Sequence, residues 1–226
     1  MKTSESYVHA LGFRWLNRLY DPFIRITLRE EKIKSALVEQ VGLMPGQRVL
    51  DLGAGTGTLT LMLKRAQPEA EVIGVDGDPD VLMLARAKAA KAGLVVTFDE
   101  AMAGALPYPD ASFDRVVSSL GFHHLSRETK HRALRDVFRV LKPGGQLHVA
   151  DWGRPHTRLM RALTLSVQWL DGSERLADNL AGRLPEFFRE AGFADARDPL
   201  PASIAKPFQV VSVQYRCNIG AVSVQN

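Results

Sequence analysis

The chain has 226 residues, 46% of them hydrophobic, and a formal net charge of +4. This length suits the core of one sizeable α/β domain rather than two independent cores. The single cysteine, Cys217, excludes an intramolecular disulfide and a thiolate metal site, and we expect no bound metal. Since neither an export signal nor a run of about 18 apolar residues occurs, we expect a cytoplasmic protein without a membrane span.

Helical and extended patterns alternate along the chain, which is typical of a layered α/β fold with a mainly parallel sheet. Residues 1–44 are expected to form an N-terminal helical arm, whose clearest helical spacing covers 24–41. The pattern then predicts strand RVLDLG, a helix over 59–66, strand EVIGVD, a helix over 79–92, strands at 95–98 and 113–120, a helix over 127–141 and strand QLHVAD.

The last third of the chain is less regular. Residues 152–183 form an insertion with an amphipathic helix, marked by Met160, Leu163, Val167 and Leu170, and we expect it to act as a small helical lid over the substrate. A helix over 184–191 and the strands FADAR and FQVVSVQYRC follow. Their short connection requires antiparallel pairing. We therefore expect a single domain over 1–226, with a seven-stranded, mostly parallel, doubly wound sheet whose last strand is antiparallel.

The stretch VLDLGAGTGTLT, residues 49–60, predicts a nucleotide-binding loop between a strand and a helix. Dinucleotide-binding folds space their glycines as G-x-G-x-x-G, whereas here Gly53, Gly55 and Gly57 alternate. Asp51 precedes them, and a carboxylate at this strand tip attracts a cation and repels a pyrophosphate. The pattern favours S-adenosylmethionine, which carries a sulfonium and an ammonium, over a dinucleotide.

Asp76 ends the second strand, EVIGVD. A carboxylate at this position accepts both hydroxyls of a ribose, which is a role shared by both nucleotide classes. Asp76 therefore indicates a nucleoside without saying which one.

Six segments in order resemble the motifs of class I S-adenosylmethionine-dependent methyltransferases: VLDLGAGTG, VIGVDGDP, ALPYPDASFDRVVSS, FHHL, ALRDVFRVLKPGGQLHVADW and AGF. The chain is most similar to the type 11 group, which includes the ubiquinone and menaquinone C-methyltransferases. The resemblance implies a Rossmann-like fold, S-adenosylmethionine as cofactor, and methyl transfer to a small-molecule acceptor. It specifies cofactor and fold but not the acceptor, nor whether carbon, oxygen or nitrogen is methylated; we expect O- or C-methylation, of a quinone-like molecule or a secondary metabolite.

The resemblance also implies which residues bind the cofactor. The methionine portion is assigned to Asp51, Gly53, Ala54 and Gly55, with Gly57 at the start of the helix, and the ribose to Asp76 beside Gly77. The family carries an aspartate for the adenine amino group where this sequence has Met102, followed by Ala103. We expect Met102 to pack on the purine through its polarizable sulfur. Tyr20 matches an element that folds over the cofactor.

The exit of the fourth strand, from Ser118 and Ser119 to His123 and His124, is expected beside the sulfonium, because ligands of open α/β sheets collect at the carboxyl ends of the strands. His123 or His124 is a candidate general base, since imidazole titrates near neutrality. The alternative is that these histidines serve packing and helix initiation.

The sequence also bears on several other functions. The sequence lacks the N/D-P-P-[YF] motif and the appended basic domain that are common in nucleic-acid methyltransferases, so no nucleic-acid partner is expected. One cysteine excludes arsenic methylation by ligand count. The main alternative to an enzyme is a non-catalytic S-adenosylmethionine-binding protein. The N-terminal arm and the edge of the last strand leave room for a homodimer.

Overall fold

The computed structural model of the chain describes residues 30–153, 174–197 and 210–217. Tyr20, most of the N-terminal arm and the predicted helix around 160–170 lie outside these residues. The first described helix, α1, covers Glu30–Val41, within the range that the sequence pattern predicts. None of the described helices is long and apolar enough to cross a membrane.

Strands and helices largely alternate from Glu30 to Trp152. In chain order, the described elements after α1 are β1 (Arg48–Leu52), α2 (Thr58–Ala66), β2 (Glu71–Asp76), α3 (Pro79–Ala92), β3 (Thr97–Glu100), β4 (Phe113–Ser119), a short 3-10 turn (Phe122–His124), α4 (Arg127–Val140), β5 (Leu141–Trp152), α5 (Glu174–Leu180), α6 (Leu184–Glu190), β6 (Phe193–Arg197) and β7 (Val210–Cys217).

The first five strands form an all-parallel sheet in the order β3-β2-β1-β4-β5. The chain moves outward from β1 to β3 and then returns to β4 on the other side of β1. This reversal is the topological switch point, where loops from neighbouring strands diverge and leave a crevice for ligands. It places the carboxyl ends of β1 and β4 next to each other.

The expected sheet needs a correction. The parallel, doubly wound sheet has five strands rather than seven, because β7 pairs antiparallel with β5 and β6 pairs antiparallel with β7. These two strands adjoin the parallel sheet as an antiparallel pair. The edge on this side is β6, so β7 is an inner strand and does not offer the free edge that the sequence suggests for a dimer.

Two boundaries also differ from the sequence pattern. β3 starts at Thr97, two residues later than predicted, because Asp99 and Glu100 pair with Val75 and Asp76 of β2. β5 begins at Leu141 and includes the LKPGG segment that predicts a stop, since Leu141 already pairs with Phe113. The register shifts just after that pair, and this irregularity accommodates the proline and the glycines.

Apolar clusters cover both faces of the parallel sheet. On one face, Val116 and Leu147 pack with residues of α4 and α6, including the fully buried Phe188. On the other face, Val117 and Ala150 pack with α1 and α2. Adjacent residues of one strand thus enter opposite layers, as the alternation of side chains along a strand requires. The helices therefore hold the strand ends in fixed positions from both sides.

Candidate active site

Four loops lie side by side at the carboxyl edge of the sheet. They follow β3, β2, β1 and β4, in the order in which these strands are hydrogen-bonded. Met102 lies in the first loop, Asp76 ends β2 before the second, the three glycines form the third, and His123 lies in the fourth. The sheet therefore brings together the predicted residues of separate motifs along one line.

The glycine loop requires a backbone that other residues rarely adopt. Gly53, Gly55 and Gly57 have φ values of 75°, 52° and 73°, all in the left-handed region. A Cβ atom at position 57 would lie 2.8 Å from the Phe98 ring, whereas at position 55 it would meet nothing within 4 Å. Gly57 is thus needed for close packing, and Gly55 presents bare backbone to open space, as a cradle for a ligand requires.

Asp76 is the acceptor group at the tip of β2. Its two carboxylate oxygens accept the backbone N–H groups of Gly55, at 2.8 Å, and Asp78, at 3.0 Å. Each oxygen keeps a further lone pair. The carboxylate is half-buried and held in place. A vicinal diol that donates one hydrogen bond to each oxygen fits this arrangement.

Asp51 lies beneath the glycine loop and not on its open face. Its side chain is 1% exposed and accepts the Thr60 hydroxyl at 2.7 Å. The pKa of Asp51 is raised to about 6, chiefly by burial; the Thr60 hydrogen bond and the charge of Lys34 oppose this rise, and the nearby Asp76 adds to it. The predicted attraction for a cation would therefore act across the loop rather than by direct contact.

Met102 covers Gly77 beside Asp76. A Cβ atom at position 77 would lie 2.7 Å from Met102 Sδ, so the thioether rests on the bare backbone of Gly77. The Met102 side chain is nevertheless 45% exposed. The backbone N–H of Ala101 donates to the Asp76 carbonyl at 3.0 Å and holds this loop against β2, and Ala103 packs against the main apolar cluster.

The loop after β4 contacts the glycine loop. The Ser118 hydroxyl is buried and donates to the Leu52 carbonyl at 2.8 Å, and Gly121 lies against Gly53. Ser119 Oγ is buried and has no hydrogen-bond partner within the described parts of the chain, which suits a group that meets a polar ligand. Leu120 adopts a φ of 58°, an unfavourable value for a side chain with a Cβ, and turns the chain sharply toward His123.

His123 is held by a buried carboxylate. Its Nδ1 lies 2.8 Å from Asp151 Oδ1, and the other Asp151 oxygen accepts the backbone N–H of Phe122 at 2.7 Å. The Asp151 side chain is completely buried. Burial opposes its ionisation, but the His123 ring and the hydrogen bond from the Trp152 backbone bring the pKa of Asp151 below its usual range. An ionised Asp151 only accepts, so it selects the tautomer of the neutral His123 ring that carries its proton on Nδ1 and its free lone pair on Nε2.

His124 stands in a different environment. Its ring is tilted against that of His123, with centroids 3.9 Å apart. The pKa of His124 is lowered to about 4, chiefly by desolvation; His123 and Arg175 also lower it, and Asp151 opposes them. At neutral pH this ring is neutral and a weak base. Of the two predicted histidines, only His123 has a carboxylate partner among the described residues.

The sequence reasoning missed two residues of this arrangement. Asp151 ends QLHVAD at the carboxyl end of β5, and that position was a usable signal, because ligand-side residues gather at such strand ends. Asn179 on α5 is fully buried and donates to Asp151 Oδ1 at 3.3 Å. No local pattern marks Asn179, since its contact joins residues 28 positions apart.

Comparisons with known proteins agree with this geometry. Residues 49–145 match the family described as a methyltransferase domain. A demethylmenaquinone methyltransferase of Thermus thermophilus is 49% identical over 109 residues, which are 48% of this chain and 49% of the relative. The ubiquinone/menaquinone biosynthesis C-methyltransferase UbiE of Yersinia pestis is 42% identical over 125 residues, 54% of this chain and 49% of that protein. The chain thus spans about half the length of these curated relatives.

A solved structure supports the fold. The crystal structure of a SAM-dependent methyltransferase from Aquifex aeolicus superposes with a TM-score of 0.63 at 21% identity, over 81% of this chain and 89% of that one. This likeness concerns the fold alone. The family match and the identities to the two relatives, joined to the glycine loop after β1 and Asp76 after β2, show that residues 49–145 are similar to a methyltransferase domain, in agreement with the resemblance of the motifs to class I S-adenosylmethionine-dependent methyltransferases.

Proposed function

We propose that this protein transfers a methyl group from S-adenosylmethionine to a small-molecule acceptor, with His123 as general base. The observation that carries the proposal is the linear order of groups along the sheet edge. Asp76 at β2, the glycine loop at β1 and His123 beyond β4 follow one another, and this order matches a ribose, a methionyl sulfonium and an acceptor.

The binding side of the site fits the cofactor. The Asp76 oxygens suit the ribose hydroxyls, and the absence of side chains at Gly53 and Gly55 leaves space for the methionine portion, although the N–H groups of both residues donate within the protein. Ser119 Oγ, buried without a partner in the described chain, supplies a polar group at the junction with the acceptor side. When bound, S-adenosylmethionine supplies an activated methyl group on its sulfonium. The protein then has to align the acceptor with that group and exclude water, and such positioning contributes up to about 7–11 kcal/mol.

His123 handles the proton of the acceptor. Asp151 fixes the Nδ1–H tautomer, and Nε2 takes a proton from an acceptor hydroxyl or acidic carbon as the new bond to the methyl group forms. Ionised Asp151 then stabilises the imidazolium. This paired arrangement supports catalysis over a purely cofactor-binding role, because a binding protein has no need of an oriented base.

The names of the relatives support a quinone-like acceptor. Both are named for methylation in quinone biosynthesis, and one of them is named as a C-methyltransferase. The ring of Trp152 lies edge-on to His123, with centroids 6.3 Å apart, and provides an aromatic wall beside the base. A flat, apolar acceptor with an ionisable hydroxyl fits this wall, and no nucleic acid is needed to explain the site. A homodimer through the N-terminal arm stays a prediction that sedimentation can test.

Calorimetry with S-adenosylmethionine and S-adenosylhomocysteine tests the cofactor assignment. We expect binding of both, and a strong loss of affinity in Asp76→Ala. The absence of binding of either ligand at millimolar concentration would refute the whole proposal. Unchanged affinity in Asp76→Ala would refute the ribose assignment alone.

A second experiment tests the base. Quinols and phenols are screened by release of S-adenosylhomocysteine, and His123→Gln is compared with His124→Gln on the best acceptor. We expect His123→Gln to lose about 10²–10⁴ in kcat with cofactor affinity retained, and His124→Gln to keep most activity. Equal losses in the two variants, or a larger loss in His124→Gln, would contradict the role of His123. Asp151→Asn should lower kcat without lowering the affinity for the cofactor.

A further inference from the structure

The Met102 side chain lies against Gly77, next to Asp76, where the proposed function places the nucleoside base of the cofactor. If the glycine loop holds the methionine end and Asp76 the ribose, the base continues past Asp76 toward the tip of β3, since the ribose carries its two substituents on opposite sides. Gly77 and Met102 form the surface there. This step rests on the proposed function.

This surface offers a purine a thioether and bare backbone. Met102 Sδ lies against the Gly77 backbone, while 45% of the side chain remains exposed. A methionine side chain has several rotatable bonds, so it can lift from Gly77 and pack on a flat ring, and its sulfur favours contact with aromatic systems. It carries no strong acceptor for an amino group.

The two carboxylates of β3 are placed differently. Asp99 accepts the Tyr108 hydroxyl at 2.8 Å, and Tyr108 packs edge-on against Phe113, with centroids 5.0 Å apart. This hydrogen bond directs Asp99 toward the core-packed tyrosine. Glu100 is exposed and pairs in register with Asp76 at the last position of the strand.

We propose that the purine subsite of this protein recognises the base by packing against Met102 and does not read its 6-amino group. The cofactor is then selected through its ribose and methionine portions. Such a site tolerates S-adenosylhomocysteine analogues altered at position 6 of the purine. A site built around a carboxylate rejects them, because removal of the amino group would leave that carboxylate unpaired.

The test compares two ligands on the full chain by calorimetry. One is S-adenosylhomocysteine and the other is the same molecule with hydrogen in place of the 6-amino group, which keeps the ring nitrogens unchanged. For the wild-type protein we expect dissociation constants within about threefold of each other, whereas a lost hydrogen bond to a charged partner gives tenfold or more, on the order of 1.5–3 kcal/mol.

Three variants complete the design. Met102→Asp introduces a carboxylate at the base, and we expect it to raise the preference for the amino-bearing ligand to about tenfold or more. Met102→Leu keeps an apolar surface and should leave the ratio near the wild-type value. Glu100→Gln is the matched control for the neighbouring acid and should also leave the ratio unchanged.

The outcomes separate the two proposals. If neither ligand binds the wild-type chain, the proposed function fails. If S-adenosylhomocysteine binds and the analogue is more than tenfold weaker, only the inference about Met102 is overturned. A ratio that changes in Glu100→Gln would also overturn it, because Glu100 would then be the group that reads the amino function. If Met102→Asp proves unstable, the wild-type ratio together with Met102→Leu still decides the question.

Discussion

His148 is a buried histidine that should make the protein lose stability in mild acid. It lies in β5 on the face opposite to Leu147 and Val149, and its side chain is completely buried. Neither ring nitrogen has a hydrogen-bond partner among the described residues. Burial, together with the positive charge of Arg115, lowers the pKa of His148 to about 3. The folded protein therefore holds this ring neutral.

The expected magnitude follows from the difference between the folded and unfolded pKa values. In the unfolded chain the ring takes up a proton near its ordinary pKa of 6.5, and in the folded chain it does not do so until about 3. Because the folded pKa is depressed, stability is complete above about pH 6.5 and falls as the pH drops below it. Between about pH 8 and pH 5 the loss is about 2 kcal/mol. Any folded pKa below about 4 gives nearly the same figure, since the ring is then neutral at pH 5.

The assay is urea unfolding of the wild-type chain and of His148→Leu at both pH values. Asp51 acts in the opposite direction, because its folded pKa of about 6 lies above its ordinary 3.8 and favours the folded state as the pH falls toward 3.8. The difference between the two proteins, rather than either curve alone, therefore isolates His148. We expect the loss of stability on acidification to be smaller in His148→Leu by about 2 kcal/mol.

Val149→Ala serves as the control for general damage to β5. It removes buried apolar volume without a titrating group, so its destabilisation should be the same at both pH values. Equal responses of His148→Leu and the wild-type chain to acidification would refute the reasoning. They would mean that the His148 ring finds a proton-accepting partner in the folded protein.

Three further predictions concern the site. Gly57→Ala should lower the free energy of unfolding by at least about 2 kcal/mol, because the new Cβ combines a positive φ with a contact of 2.8 Å to the Phe98 ring. A melting temperature that changes by less than one degree would contradict the assigned role. Above pH 6, Asp51→Asn should weaken the binding of S-adenosylmethionine more than that of S-adenosylhomocysteine, which lacks the sulfonium charge, and this difference should vanish as the pH falls through the Asp51 pKa of about 6. Calorimetry across this range checks it, and a difference independent of pH counts against a charge effect. Tyr108→Phe should cost about 0.5–1.5 kcal/mol through loss of the hydrogen bond to Asp99, as urea unfolding will show; an unchanged midpoint would mean that water replaces the hydroxyl.

The parts of the site that could be predicted from the sequence are those formed by consecutive residues. The glycine loop is one example, because its backbone conformation demands glycine at fixed spacing. Asp76 is another, because it is the last residue of a predicted strand and must therefore lie at the carboxyl edge of the sheet. The resemblance of these motifs to class I methyltransferases is confirmed by the family match and by the relatives.

The rest depends on contacts between distant segments. The pairing of His123 with Asp151 and Asn179 joins three elements, and no local spacing encodes it. The position of Asp51 beneath the loop also depends on a distant partner, because Thr60 on α2 draws the carboxylate away from the open face. Likewise, β7 could be predicted as antiparallel from its short connection, but its place between β5 and β6 follows from packing and not from the connection.

The four loops at the edge of the sheet divide the protein into two halves that can change independently. Backbone hydrogen bonds fix the spacing between neighbouring strands at about 4.8 Å. Three such spacings separate β3 from β4, so the tips of these strands lie about 14 Å apart whether or not a ligand is bound. In the proposed assignment, the described groups for the ribose and the purine follow β2 and β3, the loop for the methionine portion follows β1, and the base His123 follows β4. The halves meet where Gly121 touches Gly53. The proposed function therefore predicts that substitutions beyond that contact change the acceptor and leave the affinity for S-adenosylmethionine unchanged.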